Sequence, residues 1–232
     1  MLAKKYKSLV KSINNPFEGI YTVEFVSLSR SFKYHPGQFL HLALDNDYDG
    51  IGQWPESRCF SMQSNPIEDS IRITYAVKGE FTRQMKESLK VGSEVWLKLP
   101  YGDLFQRSHN KENAVFIAGG TGITPFLSLF NNASFKEYSN PKIYLGFRNK
   151  AYNIYENELK AIQSEEGFTH SNNIKIFYQD LNGLLDIDQI ISENKIESNY
   201  FISGPPVMIK SFKKRLVDNG VPEENILTDD WE

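Results

Sequence analysis

The chain has 232 residues, 40% of them hydrophobic and 24% charged, and a formal net charge of −3. That length holds one large domain or two ordinary ones, and so weak a charge gives no reason to expect nucleic acid or an anionic membrane as partner. Cys59 is the sole cysteine, which excludes an intrachain disulfide and any zinc or iron–sulfur site built on several thiolates of this sequence.

The opening stretch MLAKKYKSLVKSINN carries lysines but no apolar leader segment, and no apolar run reaches membrane-spanning length. A cytoplasmic protein without membrane insertion is expected. Residues 6–13 alternate loosely, and 19–28 are rich in β-branched and aromatic residues. Further strand patterns follow at 38–44, 58–64, 70–77 and 93–99, with a polar, glycine-bearing loop at 45–57 and helical spacing over 81–89. Six strands punctuated about every ten residues predict an antiparallel six-stranded β-barrel. After the polar run 106–113 the pattern changes. Strands at 114–118, 142–147, 174–178, 200–203 and 225–227 alternate with helices, among them 154–164, 186–193 and 206–219. Such alternation predicts a C-terminal α/β domain with a doubly wound parallel sheet. The domains are expected at 1–108 and 109–232.

The second domain is organised around AVFIAGGTGITPFLSLF, residues 114–130. A short apolar strand ends in Gly119, Gly120 and Gly122, which allow a tight turn and close approach of a ligand. Thr124 reads as an N-cap and Pro125 as the first helical residue. Strand, glycine turn and helix start together point amide N–H groups at a phosphate, or else make only a tight turn. In the first domain, Arg58-Cys59-Phe60-Ser61 sits on a strand and reads equally as surface alternation. Gly79-Glu80-Phe81-Thr82 runs from a strand end into a helix, either as a plain turn or as a second anion cradle. His35, His41, His109 and His170 are scattered without metal-ligand spacing, so no metal site is expected.

Taken together and in order, these stretches resemble the ferredoxin–NADP+ reductase family, which includes NAD(P)H:flavin reductases. Residues 58–61 are similar to its R-x-[YF]-S flavin motif and 79–82 to its G-x-x-[ST] flavin-pyrophosphate motif. Residues 119–126, GGTGITPF, are similar to its nucleotide motif, and 203–208, SGPPVM, to its C-G-P-x-x-M motif with serine in the cysteine position. The resemblance implies that Arg58 pairs with a flavin phosphate and that Cys59 lies within that contact. Phe60 walls the flavin without the hydroxyl of tyrosine, and Ser61 donates to flavin N5. Tyr75 and Val77 run beside the flavin, while Gly79, Phe81 and Thr82 hold its pyrophosphate. In the second domain Gly119, Gly120, Thr121 and Gly122 take the dinucleotide pyrophosphate, with Thr121 facing the nicotinamide. Gly204, Pro205 and Met208 complete that site. Catalytic roles fall to Ser61, Thr121, Ser203 and Asp229.

The implied function is hydride transfer from NAD(P)H to bound FAD (or FMN), then electron transfer to a separate acceptor, protein or small molecule. The alternatives are a reductase that uses free flavin as substrate and a catalytically silent flavin- or nucleotide-sensing module. Asp180, after the third parallel strand, favours NADH over NADPH, and Arg148 with Lys150 is the counterweight. Trp231 either packs on a sheet edge or, as the resemblance implies, covers the flavin face.

Overall fold

The computed structural model describes residues 2–45, 47–164 and 173–229. Trp231, expected near the flavin, lies outside the described residues. The chain divides into two compact units, Met1–Asp103 and Leu104–Glu232.

The first unit contains β1 (Lys4–Phe17), β2 (Ile20–Ser27), β3 (Phe39–Ala43), β4 (Ser57–Ser61), β5 (Ser70–Ala76), α1 (Glu80–Ser88) and β6 (Glu94–Tyr101). Its sheet runs β4-β3-β6-β1-β2-β5, with antiparallel neighbours throughout. Gly19, at φ 72°, turns the chain between β1 and β2, a backbone conformation that costs glycine nothing. Val23 and Phe25 of β2, Leu40 and Leu42 of β3, Ile71 and Ile73 of β5 and Leu97 and Leu99 of β6 are fully buried. They are alternate residues, as a sheet with one face on a core requires. Phe81 and Met85 of α1 are four apart, so they share one helix face and join this core.

The second unit contains β7 (Ala114–Gly119), α2 (Thr124–Phe130), β8 (Lys142–Phe147), α3 (Glu156–Ser164), β9 (Ile174–Tyr178), α4 (Gln179–Asn182), α5 (Ile187–Glu193), β10 (Asn199–Ser203), α6 (Pro206–Asp218) and β11 (Ile226–Thr228). All strands are parallel, in the order β11-β10-β7-β8-β9. β7 is central, and its apolar run is buried on both faces: Phe116 joins one core, Val115 and Ile117 the other. The Phe116 ring stacks on Phe201 at 5.1 Å and meets Phe130 at 5.2 Å and Phe126 at 5.4 Å. Much of the chain's aromatic content is therefore core.

The boundary between the units precedes the polar run that marks it in the sequence. Leu104 is buried in the second core and the Phe105 ring lies 5.2 Å from Phe201, so the chain joins the second unit at its apolar residues. Among the described residues no helix is long and apolar enough to cross a membrane.

Candidate functional site

In the first unit two stretches that are distant in sequence meet. Arg58, on β4, holds its guanidinium carbon 5.2 Å from the centre of the Phe81 ring at the start of α1. The same guanidinium donates to Glu56 Oε1 at 2.9 Å and to the Ser57 carbonyl at 2.9 Å. The Arg58–Glu56 pair is exposed, with side chains 52% and 74% accessible, so it contributes little to stability and leaves the cation within reach of an anion. Gly79 caps α1 in extended conformation. The Thr82 hydroxyl accepts from Lys78 N at 2.9 Å and Gly79 N at 3.1 Å and donates to Gly79 O at 3.0 Å. That hydroxyl is committed to its own helix start. The anion-directed groups here are the first-turn amides, which have no acceptor inside the helix.

β4 alternates as its pairing with β3 dictates: Cys59 lies opposite His41, and Phe60 opposite Leu40. Phe60 and Ser61 are buried, and the Phe60 ring meets Tyr75 at 6.0 Å. Tyr75 stacks on Tyr21 at 5.6 Å and is a core residue. Burial, then Tyr21, pushes its hydroxyl well above the usual phenol range. Val77 packs against the same core, its N–H bonded to Gly19 O at 2.8 Å. Cys59 is half-buried on the other face of β4, with Sγ 3.5 Å from His41 Nε2. Burial holds His41 below its ordinary pKa, and nearby Lys98 adds to this. Cys59 thus shares a face with His41 and points away from Phe60.

In the second unit the expected residues gather at the carboxyl ends of β7 and β10, beside the point where the strand order reverses. The glycines act differently from the sequence expectation. A Cβ on Gly122 would stand 2.5 Å from Ser203 O and 2.6 Å from Gly204 N. One on Gly119 would stand 2.9 Å from Met208 Sδ and 3.1 Å from Pro205 Cδ. These two glycines let the β7 and β10 turns touch each other, and only Gly120, at φ 57°, serves the turn's own backbone. Thr124 is also not the N-cap. A 3₁₀ turn over Gly120–Ile123 precedes α2, Thr124 has helical angles, and its hydroxyl donates back to Thr121 O at 3.0 Å. The extra turn shifts the helix start by one residue and leaves Thr121 half-buried at the bend.

Ser203 is buried, and its hydroxyl donates to Asp229 Oδ2 at 3.1 Å. Asp229 N donates to Ile202 O at 2.9 Å, so the chain beyond β11 is held over the end of β10. Farther along the same edge, Asp180 N donates to Arg148 O at 3.2 Å, and the Arg148 guanidinium lies 5.5 Å from the Tyr152 ring. Tyr152 is not evident from the sequence, because an aromatic in a loop carries no periodic signal. Two concavities lie elsewhere. One of about 440 Å3 follows α6 between Lys210, Lys213 and Val217. One of about 110 Å3 lies at the amino ends of β7 and β8. Neither is lined by an expected site residue.

The loop after β3 carries a further spacing: Asp45, Asp47, Asp49, Gly50 and Glu56 match the pattern of a calcium loop. The fold uses it otherwise. Lys5 Nζ donates to Gly50 O at 3.1 Å and Gly52 O at 3.3 Å, and Glu56 is turned to Arg58. Among the described residues no group of three or more metal-ligating side chains is gathered.

Known proteins share parts of this sequence and its fold. The family described as "Oxidoreductase NAD-binding domain" matches residues 116–214. Flavohemoprotein A of Dictyostelium discoideum is 26% identical over 209 residues, 83% of this chain and 51% of that protein. One component of the Na(+)-translocating NADH-quinone reductase of Haemophilus influenzae (strain 86-028NP) is 30% identical over 205 residues, 75% of this chain and 48% of that protein. The chain therefore spans about half the length of the curated relatives it matches. A ferredoxin NADP+ reductase from Neisseria gonorrhoeae, with bound FAD and NADP, shares the fold with a TM-score of 0.75 and 19% identity, over 98% of both chains. The second unit thus carries an oxidoreductase NAD-binding domain over residues 116–214, and the chain as a whole, a six-stranded antiparallel unit followed by a parallel one, is similar in fold to the ferredoxin NADP+ reductase.

Proposed function

We propose that this chain is a cytoplasmic NAD(P)H-dependent flavoprotein reductase that keeps FAD on its first unit, binds the nicotinamide nucleotide on its second, and delivers electrons to a separate acceptor. The observation that carries the flavin half is the approach of Arg58 to Phe81, which joins the two flavin-motif stretches in one place. Arg58 would pair with a flavin phosphate, and the first-turn amides of α1 would take the same anion. On the second unit the bend at Gly119–Gly122 and the Ser203–Asp229 pair support a dinucleotide at the strand ends. The bound flavin supplies the hydride and electron chemistry; the chain supplies binding, orientation and electrostatics. Asp229 is positioned by Ser203 to favour positive charge on a nicotinamide ring. Asp180 beside the Arg148 carbonyl favours a free ribose hydroxyl over a 2′-phosphate, which makes NADH the preferred nucleotide.

A second reading, in which flavin is a dissociable substrate, draws on one observation: the Thr82 hydroxyl is spent on its own helix and is not offered to a ligand. Purification decides between the two. A protein that stays yellow through gel filtration and is bleached by NADH without oxygen meets the first reading. A colourless protein that oxidises NADH only when FAD or FMN is added meets the second, and inactivity with either flavin overturns both.

A further inference from the structure

β4 and β5 are the two outer strands of the first sheet, and among the described residues they share no ladder. The gap is closed by the residues just after β4. Gln63 N donates to Arg72 O at 2.8 Å, and Arg72 N donates to Ser64 Oγ at 3.0 Å. Beside this, three side chains form a directed relay. The Thr74 hydroxyl donates to Gln63 Oε1 at 2.6 Å and, its one proton being used, accepts from Thr22 Oγ1 at 2.9 Å. Thr22 lies directly opposite Thr74 in the β2–β5 register. Gln63 is 3% and Thr74 6% accessible, so each bond is made where a lost partner is costly.

The neighbours of this relay in sequence are the expected flavin residues. Ser61 lies two residues before Gln63, and Tyr75 follows Thr74 directly. Phe60 and Tyr75, whose rings meet at 6.0 Å, come from the two strand ends that the relay joins. We infer that Thr74, through Gln63, is a positioning residue that fixes the spacing between the Ser61 and Tyr75 edges of the flavin site. A continuous ladder would set that spacing by backbone alone. Here one buried hydroxyl helps to set it. The inference rests on the flavin reading above.

Thr74→Val keeps the shape and removes the hydroxyl; Thr74→Ser keeps the hydroxyl. Apoprotein is titrated with FAD by fluorescence, the visible spectrum of the complex is recorded, and NADH kinetics are measured with ferricyanide as acceptor. Thr74→Val should bind FAD about tenfold more weakly, because the two edges of the site are no longer held at their spacing before the ligand arrives. Its flavin bands should shift, with KM for NADH unchanged, and Thr74→Ser should stay within about twofold of wild type. If Thr74→Val does not fold, Thr22→Val, at the half-buried outer link, should show the same changes at smaller size. Unchanged FAD affinity and spectrum in the valine variant, even with a lower Tm, would assign Thr74 a purely structural role. So would a serine variant as impaired as the valine one. Wild-type protein that binds neither FAD nor FMN overturns the flavin reading and this one together, a result distinct from wild-type binding with an indifferent Thr74→Val.

Discussion

Arg58 is proposed to serve the flavin site and does little for the fold. Its partners are exposed Glu56, its neighbour's carbonyl and the Phe81 ring, and only the last belongs to the core, met there by an exposed guanidinium. Arg58→Ala should leave Tm nearly unchanged while weakening FAD binding by about tenfold or more, the effect of losing a charge-assisted bond of about 1.5–3 kcal/mol. Fluorescence titration measures it, and equal affinities would remove Arg58 from the site. Gly122 is the opposite case. An alanine there would press on the backbone of Ser203 and Gly204 at 2.5–2.6 Å, and backbone cannot rotate away as a side chain can. Overpacking of this kind costs about 1–3 kcal/mol. Gly122→Ala should therefore lower Tm by several degrees and raise KM for NADH, with the flavin spectrum unchanged; thermal unfolding and steady-state kinetics test both parts.

At the scale of elements, the segment leading into β7 is fastened by His109. Its Nδ1 lies 2.6 Å from Arg107 O and its Nε2 lies 2.7 Å from Tyr138 OH, while its ring meets Phe201 at 5.0 Å. The neutral ring satisfies both contacts by donating to the carbonyl and accepting from the phenol. Burial holds His109 below its ordinary pKa of 6.5, Lys111 adds to this, and the Arg107 carbonyl opposes it. A lowered folded-state pKa means that the unfolded chain takes up the proton first. The stability contributed by this group is present above about pH 6.5 and is lost as pH falls from there through the folded value. The drop in Tm between about pH 7.5 and 5.5 should be smaller in His109→Gln than in wild type. It should not vanish, because His41 is lowered too and works in the same direction. An identical drop in both proteins would show that this ring carries none of the pH dependence.

For the molecule as a whole, the test is which nucleotide reduces it. Asp180 and Arg148 are both exposed at the carboxyl edge of the parallel sheet, one repelling a 2′-phosphate and the other attracting it. The Arg148 guanidinium is engaged over the Tyr152 ring, so the carboxylate should dominate. We expect kcat/KM to favour NADH, and Asp180→Ser to shift the ratio toward NADPH by about tenfold, about 1.4 kcal/mol of discrimination. A tenfold wild-type preference for NADPH would reverse the assignment.

The two-unit architecture was legible in the residues because it follows from periodicity. Alternation at Val23–Phe25 and Ile71–Ile73 reports a one-faced sheet, and the unbroken run at β7 reports a strand buried on both faces. The stretches proposed as the site stood out in the sequence too, as short glycine- and arginine-bearing motifs. What each residue does within them was not. Gly119 and Gly122 looked like room for a ligand and proved to be room for the β10 turn, because packing partners far away in sequence leave no local mark. For the same reason the unit boundary moved ahead of the polar run once Leu104 and Phe105 found a core. The meetings of Arg58 with Phe81, Ser203 with Asp229 and Thr74 with Gln63 were likewise decided only by the tertiary structure. The sequence by itself determined the elements and their order, since local backbone preference and side-chain period are written residue by residue. Which side chains share a hydrogen bond depends on strand register and on turns that bring distant residues together, and no local pattern records that.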